Sequence, residues 1–249
     1  EDGIRAQPRS RGLGDVYKRQ VQMALRDLRD EVGDDMVLMA DLCVDEYTDH
    51  GHCGVLDGNG SVDNDATLEL YVRAAVAQAD AGAAVTAPSG MMDGQVAAIR
   101  TALDDAGHQQ TAILAYAAKY ASALYGPFRD AVDVEIADGG DRKGYQQDPS
   151  NAREAMVEVH GDVEQGADMV MVKPALAYLD VIAETRASVD VPVAAYHVSG
   201  EYAMVQAAAA NGWLDGDAVS MEHLLSIRRA GADFILTYLA RRAAEILGH

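Results

Sequence analysis

Short apolar runs alternate with stretches of helical periodicity along most of this chain. Six runs have the length and composition of strands buried on both faces, namely residues 36–42, 83–87, 111–117, 168–172, 191–197 and 233–236. Amphipathic helices are predicted between them, over residues 67–81, 94–106, 151–165, 178–188, 200–210 and 221–230. Helices that alternate with apolar strands predict an α/β fold with a parallel sheet.

The polar residues at the strand ends favour a closed barrel over an open sheet. The Gly-x-Gly-x-x-Gly pattern of dinucleotide-binding sheets does not follow the first strand. Five polar side chains lie at or just past the carboxyl ends of the predicted strands, where (β/α)8 barrels place their chemistry: Asp41, Lys119, Lys173, His197 and Tyr238. We therefore predict a (β/α)8 TIM barrel with about six of its eight strands present. The two missing strands are expected to precede residue 36, so the chain is expected to be truncated at its N-terminus.

The first twenty residues differ from the rest of the sequence. Residues 1–20 are basic and lack apolar periodicity, which is typical of a non-native or disordered segment. Residues 21–249 are predicted to form a single, partial barrel domain, since barrels commonly reach this length as one domain.

Charge and composition exclude several function classes. The chain has 249 residues, a formal net charge of -20 and a hydrophobic content of 49%. This charge argues against a broad surface for nucleic acid or for an anionic membrane. The sequence contains neither a signal peptide's apolar region nor an apolar run of membrane-spanning length, which predicts a cytoplasmic location.

Lys173 closes an apolar strand and is the first candidate for catalysis. Four apolar residues, 169–172, lead directly into Lys173 and Pro174. A desolvated lysine is a neutral amine that can form a Schiff base with a carbonyl compound. The alternative is a lysine whose stem covers the strand end while its amine stays in water.

Lys119 makes the catalytic interpretation stronger. The chain has only four lysines, and two of them, Lys119 and Lys173, end predicted strands. Two amines that face each other at a barrel mouth would lower each other's pKa, which is the condition that an imine-forming lysine needs.

A dense group of ligand-type side chains follows the first strand. Residues 41–53 contain two cysteines, two histidines and several aspartates. Cys43, Asp45 and Cys53 are the candidate metal ligands, since three protein ligands leave a position open for water or substrate. Their side chains can converge only if the chain bends. His50 and His52 could instead make hydrogen bonds within the loop.

The loop over residues 125–147 is glycine-rich and charged. Arg129 lies near one end of it, and Arg142 lies near the other end. Two arginines on such a loop are typical of a carboxylate clamp carried by a lid, although ordinary surface arginines are the alternative.

These motifs together resemble the porphobilinogen synthase family, also called 5-aminolevulinate dehydratase. The segments that carry the resemblance are DHGHCG, AKYASALYGPFRDA, GADMVMVKPALAYLD, VSGEYAM and IRRAGAD. The resemblance covers nearly the whole chain from residue 21 onward. It implies a (β/α)8 barrel that assembles as a homo-octamer and condenses two 5-aminolevulinate molecules into porphobilinogen, in heme and tetrapyrrole biosynthesis.

The resemblance also implies a role for individual residues. Lys173 matches the lysine that binds the first substrate as a Schiff base, and Lys119 matches the lysine that engages the second substrate. Arg129 and Arg142 match the pair that grips the carboxylate of the second substrate. Ser199 and Tyr238 match the hydroxyls that bind the carboxylate of the first substrate, and Asp41 matches an active-site acid near the metal. Glu158 matches the position that binds an allosteric magnesium ion.

The metal loop departs from the family pattern at one ligand. Zinc-dependent members have three cysteines, whereas this chain has Asp45 between Cys43 and Cys53. An oxygen ligand weakens the preference for zinc, so we expect Zn²⁺, Mg²⁺ or both. Gly90 stands where the family usually has an acid.

Two other functions stay open at this point. A Schiff-base aldolase on the same barrel would need one imine lysine and no metal loop. A catalytically impaired, truncated fragment would act only as a metal-binding or subunit-assembly module.

Overall fold

The computed structural model describes residues 20–132, 136 and 140–248. The predicted non-native or disordered segment lies outside the described residues, except for Gln20, which begins the first helix. That prediction stays a prediction.

Helices make up about half of the described residues. The α-helices are α1 Gln20–Val32, α2 Asn64–Asp80, α3 Gln95–Asp105, α4 Gly126–Ala131, α5 Ala152–Glu164, α6 Leu179–Ser188, α7 Ser199–Ala210, α8 Gly216–Ala230 and α9 Ala240–Leu247. Short 3-10 helices cover Asp45–Tyr47, Ala123–Tyr125 and Leu176–Tyr178. None of the described helices is long and apolar enough to cross a membrane.

Six parallel strands form the sheet within the described residues. They are β1 Met39–Leu42, β2 Val85–Pro88, β3 Ala112–Lys119, β4 Met169–Lys173, β5 Val193–His197 and β6 Phe234–Thr237. Their order in the sheet is the same as their order in the chain. An open doubly wound sheet reverses its strand order at a switch point, whereas a (β/α)8 barrel does not. The α/β fold of barrel type is therefore confirmed, with six strands.

The chain divides into two compact units. The described part of the first unit is residues 20–115, 136, 140–145 and 165–167, and the second unit is residues 116–132, 146–164 and 168–248. The first unit contains β1, β2 and the start of β3. Strand β2 pairs in parallel with β3, with Val85 opposite Ala112. The second unit contains the end of β3 and strands β4 to β6.

Helix ends deviate from the prediction where aspartate caps a helix. Asp63 accepts a hydrogen bond from the Ala66 N–H at 3.0 Å, so α2 begins at Asn64. Asp215 accepts one from the Ala218 N–H at 3.0 Å, so α8 begins at Gly216. Each cap satisfies a free N–H group of the first turn and extends the helix toward the N-terminus.

Two short helices were missed by the sequence pattern. Helix α4, six residues long, lies within the segment predicted as the loop 125–147. Proline in its first turn supports a helix start, but six residues are too few to show a hydrophobic period. Helix α9 is likewise short, and its residues are exposed or half-buried.

Candidate active site

The two strand-end lysines of the second unit lie beside the same aromatic ring. The Nζ atom of Lys173 is 5.1 Å from the centre of the Tyr116 ring, and the Nζ atom of Lys119 is 5.7 Å from it. Lys119 is buried, with 5% of its surface exposed, and Lys173 is half-buried. Lys119 ends β3 and Lys173 ends β4, as the sequence predicts.

Three tyrosines surround the amine of Lys173. Its Nζ atom is also 4.3 Å from the centre of the Tyr196 ring and 5.4 Å from that of Tyr125. Aromatic rings attract a cation through their negative faces, so the three tyrosines form an aromatic surrounding for this amine.

The main chain of Lys173 is held by contacts to its carbonyl oxygen. Its carbonyl oxygen accepts a hydrogen bond from the Tyr120 N–H at 2.9 Å, and the Tyr125 hydroxyl lies 3.3 Å from the same oxygen. The preceding residues of β4, Val170 to Val172, are fully buried. The amine therefore projects from a rigid part of the sheet.

The two predicted carboxylate-binding hydroxyls have different surroundings. The Ser199 hydroxyl donates to the Leu124 carbonyl at 3.3 Å and accepts from the Phe128 N–H at 3.1 Å. Tyr238 is 49% exposed, and its ring centre lies 6.5 Å from that of Tyr196. Tyr238 thus belongs to the aromatic group that includes Tyr196, while Ser199 is bonded to the main chain.

His197 ends β5 and is fully buried. Its Nδ1 atom lies 3.1 Å from the Thr237 hydroxyl, and its Nε2 atom lies 3.4 Å from His223. Burial, with a smaller effect of His223, lowers the pKa of His197 to about 4, so the ring is neutral at pH 7. As an uncharged group, His197 links the end of β5 to the end of β6 through its contact with Thr237.

The first unit brings the three predicted metal ligands together. Ligand atoms of Cys43, Asp45 and Cys53 all lie within 4.8 Å of one another. The chain makes the predicted bend at the 3-10 helix Asp45–Tyr47, which interrupts the extended backbone after β1. Two thiolates and one carboxylate within this distance fit a single divalent ion with an open coordination position.

Arg142 is bonded to one of these ligands. Its Nη2 atom donates to the Asp45 carboxylate at 2.7 Å and to the Gly51 carbonyl at 2.8 Å. Both side chains of the ion pair are 9% exposed. Burial disfavours the charge on Arg142, but Cys53, Asp45 and Cys43 outweigh it and raise its pKa. The guanidinium is therefore the cation that balances the ligand group.

Two tyrosines support the cysteine loop. The Tyr71 hydroxyl lies 3.0 Å from the Cys53 carbonyl oxygen and 3.7 Å from the Cys43 Sγ atom. The Tyr145 hydroxyl accepts a hydrogen bond from the Cys53 N–H at 3.2 Å. Burial, reinforced by the cysteines, raises the pKa of both tyrosines, so both are neutral hydroxyls.

The histidines of the loop make local hydrogen bonds. The His50 Nδ1 atom accepts from the His52 N–H at 3.2 Å, and the His52 Nδ1 atom lies 3.2 Å from the Tyr145 hydroxyl. This is the alternative that the sequence left open for them. Burial lowers the pKa of both rings.

Gly90 is explained by its contact with Tyr71. A Cβ atom at position 90 would overlap the hydroxyl end of the fully buried Tyr71 ring. An acidic side chain at this position would therefore displace Tyr71 from the cysteine loop. Glycine is required here for space.

The remaining predicted residues lie on separate elements. Asp41 is the third residue of β1, and its carboxylate accepts from the Ser89 hydroxyl at 2.7 Å. Arg129 lies in α4 of the second unit, and Arg142 lies in the first unit. Glu158 lies in α5, four residues before Asp162. Burial, with a smaller effect of Glu158, raises the pKa of Asp162 to about 7.

Comparisons with known proteins agree with this arrangement. The family model described as delta-aminolevulinic acid dehydratase matches residues 11–246. The chain belongs to this family. The family resemblance of the sequence motifs is thereby confirmed.

Individual relatives support the family assignment. The delta-aminolevulinic acid dehydratase of Streptomyces coelicolor is 61% identical over 227 residues, which cover 91% of this chain and 68% of the relative. The protein of the same name from Synechococcus elongatus is 57% identical over 230 residues, which cover 91% of this chain and 70% of the relative. This chain thus spans about two thirds of the length of its curated relatives.

A solved structure extends the similarity to the backbone. The delta-aminolevulinic acid dehydratase of Toxoplasma gondii, solved in complex with the reaction product porphobilinogen, matches with a TM-score of 0.91 and 48% identity. The match covers 93% of this chain and 66% of that chain.

The sequence pattern missed the tyrosines around Lys173 and those that contact the cysteine loop. Tyr116, Tyr125 and Tyr196 surround the amine of Lys173, and Tyr71 and Tyr145 support the cysteine loop. One available signal was the presence of Tyr116 and Tyr196 inside strands made otherwise of small or aliphatic residues.

Proposed function

We propose that this chain is a porphobilinogen synthase, a hydro-lyase that condenses two 5-aminolevulinate molecules into porphobilinogen with loss of two waters. The reaction belongs to the heme and tetrapyrrole pathway. The observation that carries the proposal is the position of Lys173 and Lys119 beside the Tyr116 ring, in a chain of this family.

The lysines act as nucleophiles. The Nζ atom of Lys173 attacks the keto carbon of one 5-aminolevulinate, the carbonyl oxygen leaves as water, and a carbon–nitrogen double bond forms. Lys119 reacts in the same way with the second molecule. A carbon next to the imine of one substrate loses a proton and attacks the imine carbon of the other substrate, and the amino group of that other substrate attacks the remaining imine carbon. Each lysine amine leaves with a proton, and loss of a last ring proton gives the pyrrole. Two waters are lost in total, and both lysines return to their starting state.

The carboxylates of the substrates need separate partners. Arg129 and Arg142 are proposed to bind the carboxylate of the second substrate, because a planar guanidinium matches a carboxylate in two hydrogen bonds. Ser199 and Tyr238 are proposed to bind the first. The exposure of Tyr238 and its place beside Tyr196 support its part in this set.

Cys43, Asp45 and Cys53 are proposed to hold Zn²⁺ or Mg²⁺. The mixed thiolate and carboxylate set accepts either ion less selectively than three cysteines would. A bound divalent ion would polarise a substrate oxygen as a Lewis acid. Asp41 is proposed as the acid that serves this site. Glu158 is proposed to bind an allosteric Mg²⁺, and the assembly is proposed to be a homo-octamer.

Reductive trapping tests the assignment of Lys173. The purified chain is incubated with 5-aminolevulinate and borohydride, digested, and mapped by mass spectrometry. An adduct on Lys173 is expected in the starting chain and in the Lys143→Arg control, since Lys143 is exposed. Porphobilinogen formation is measured in parallel with a chelator, with Zn²⁺ and with Mg²⁺. Absence of the adduct from Lys173 contradicts the proposal.

A further inference from the structure

A buried carboxylate links the segments that follow two strands of the second unit. Glu201, in the first turn of α7, is 1% exposed. Its Oε1 atom accepts a hydrogen bond from the Leu176 N–H, and its Oε2 atom accepts one from the Val198 N–H, both at 2.6 Å. A buried carboxylate is stable only when such donors replace its water, and both bonds are in the short range of charge-assisted hydrogen bonds.

Only one of these two bonds is needed to cap a helix. A glutamate at the third helical position ordinarily reaches back to the N–H of the capping residue, which here is Val198. The other bond goes to Leu176, 25 residues away in the chain. Leu176 begins the 3-10 helix three residues after Lys173. Glu201 therefore connects the exit of β4 to the exit of β5.

The same helix end packs against the tyrosine that faces Lys173. A Cβ atom at Gly200 would overlap the backbone of Leu124, so α7 begins in direct contact with the 3-10 helix Ala123–Tyr125. The Ser199 hydroxyl adds its bond to the Leu124 carbonyl at 3.3 Å. Tyr125, the next residue, places its ring centre 5.4 Å from the Lys173 Nζ atom. The start of α7 thus contacts both the segment after Lys173, through Glu201 and Leu176, and the 3-10 helix that carries Tyr125.

We propose that Glu201 is a positioning residue for the Schiff-base lysine, which it serves by fixing the segment after Lys173 and the start of α7 in one arrangement. The inference rests on the proposed function. Both carboxylate oxygens of Glu201 accept hydrogen bonds from the main chain, so it is assigned no catalytic role. It holds the backbone from which Lys173, Ser199 and Tyr125 are presented.

Two variants separate this role from simple helix capping. Glu201→Gln keeps the size of the side chain but places an amide donor where an acceptor is needed. Glu201→Asp keeps the charge and can cap α7, but it is one methylene too short to reach Leu176 and Val198 together. Glu164→Gln, an exposed change on α5, is the matched control.

The measured quantities are kcat, KM, the rate of borohydride trapping at Lys173 and the thermal midpoint. We expect both Glu201 variants to lose about 10- to 100-fold in kcat and in trapping rate, with a smaller change in KM, since small displacements of a nucleophile have effects of this size. The Glu164→Gln control is expected to behave like the starting chain.

The outcomes are distinguishable. A starting chain that traps no adduct contradicts the proposed function itself. A starting chain that traps normally, with Glu201→Asp equal to it in kcat and trapping rate, overturns the positioning role. So does a loss of kcat that only follows the folded fraction of each variant. If Glu201→Gln does not fold, Glu201→Asp decides by the same criteria.

Discussion

At the scale of single residues, the structure shows an ion pair that the sequence did not predict. Arg142 is an ion-pair partner of the candidate metal ligand Asp45, at 2.7 Å. Removal of one member of a buried pair leaves an uncompensated charge and typically costs about 3–5 kcal/mol. The guanidinium thus contacts one oxygen, Oδ2, of a carboxylate that is also a candidate metal ligand. The sequence named both residues but not their contact, because they are 97 positions apart.

Gly90 allows a prediction at this scale. Gly90→Ala places a methyl group against Tyr71, so that ring must leave the Cys53 carbonyl and the cysteine loop must shift. We expect divalent-ion affinity to fall at least about tenfold and stability to fall by about 1–3 kcal/mol, the usual cost of overpacking. Competition with a chromogenic chelator and urea unfolding measure the two effects.

Gly58→Ala is the control for this change. A Cβ atom at Gly58 meets no heavy atom within 4 Å, and the residue lies in the same unit. Equal metal affinity in Gly90→Ala and Gly58→Ala would contradict the spatial explanation of Gly90.

At the scale of elements, three strands end in a candidate site residue, and the position of that residue is set by the end of its strand. Lys119, Lys173 and His197 are the last residues of β3, β4 and β5. Parallel strands present their carboxyl ends at one edge, so strand recognition alone predicted these positions. The helix starts were less predictable, because they depend on capping by Asp63 and Asp215.

Helix α5 allows a prediction about pH. The pKa of Asp162 is raised from 3.8 to about 7 by burial and by Glu158, so its ionisation destabilises the folded state. This cost is absent below pH ~4 and complete above pH ~7. Relative to the starting chain, Asp162→Asn should therefore gain stability as the pH rises from about 4 to 7, and the gain should level off above pH ~7 at no more than about 4 kcal/mol.

Urea unfolding at several pH values measures this gain. Glu164→Gln, on the same helix but exposed, should show a difference from the starting chain that does not vary with pH. A gain for Asp162→Asn that is the same at pH ~5 and pH ~8, or that falls as the pH rises, would contradict the assignment.

At the scale of the whole molecule, the large negative net charge affects the stability of the fold. The formal net charge is -20, and like charges at this density repel one another in the folded state. Dissolved salt screens this repulsion, with a Debye length of about 8–10 Å at physiological ionic strength. The resulting field is a general property of the chain and does not depend on individual residues.

The charge predicts a dependence of stability on salt. We expect the thermal midpoint to rise by about 2–4 °C between low and moderate ionic strength, which corresponds to ~1 kcal/mol for a chain of this size. Sodium chloride and choline chloride should act alike, since screening does not depend on the cation. A midpoint that falls with both salts, or that rises with sodium alone, would refute screening as the cause.

The sequence by itself determined the parallel α/β fold, the lysines at the strand ends and the three residues of the metal-ligand group. These follow from short-range patterns: apolar runs of strand length, the residue at which each run ends, and the ligand types within one loop. Tertiary structure alone decided the ring contacts of Lys173, the ion pair of Arg142 with Asp45, the space that requires Gly90, and the link made by Glu201. Each of these joins residues far apart in the chain, and their proximity depends on how folded elements pack rather than on any local pattern.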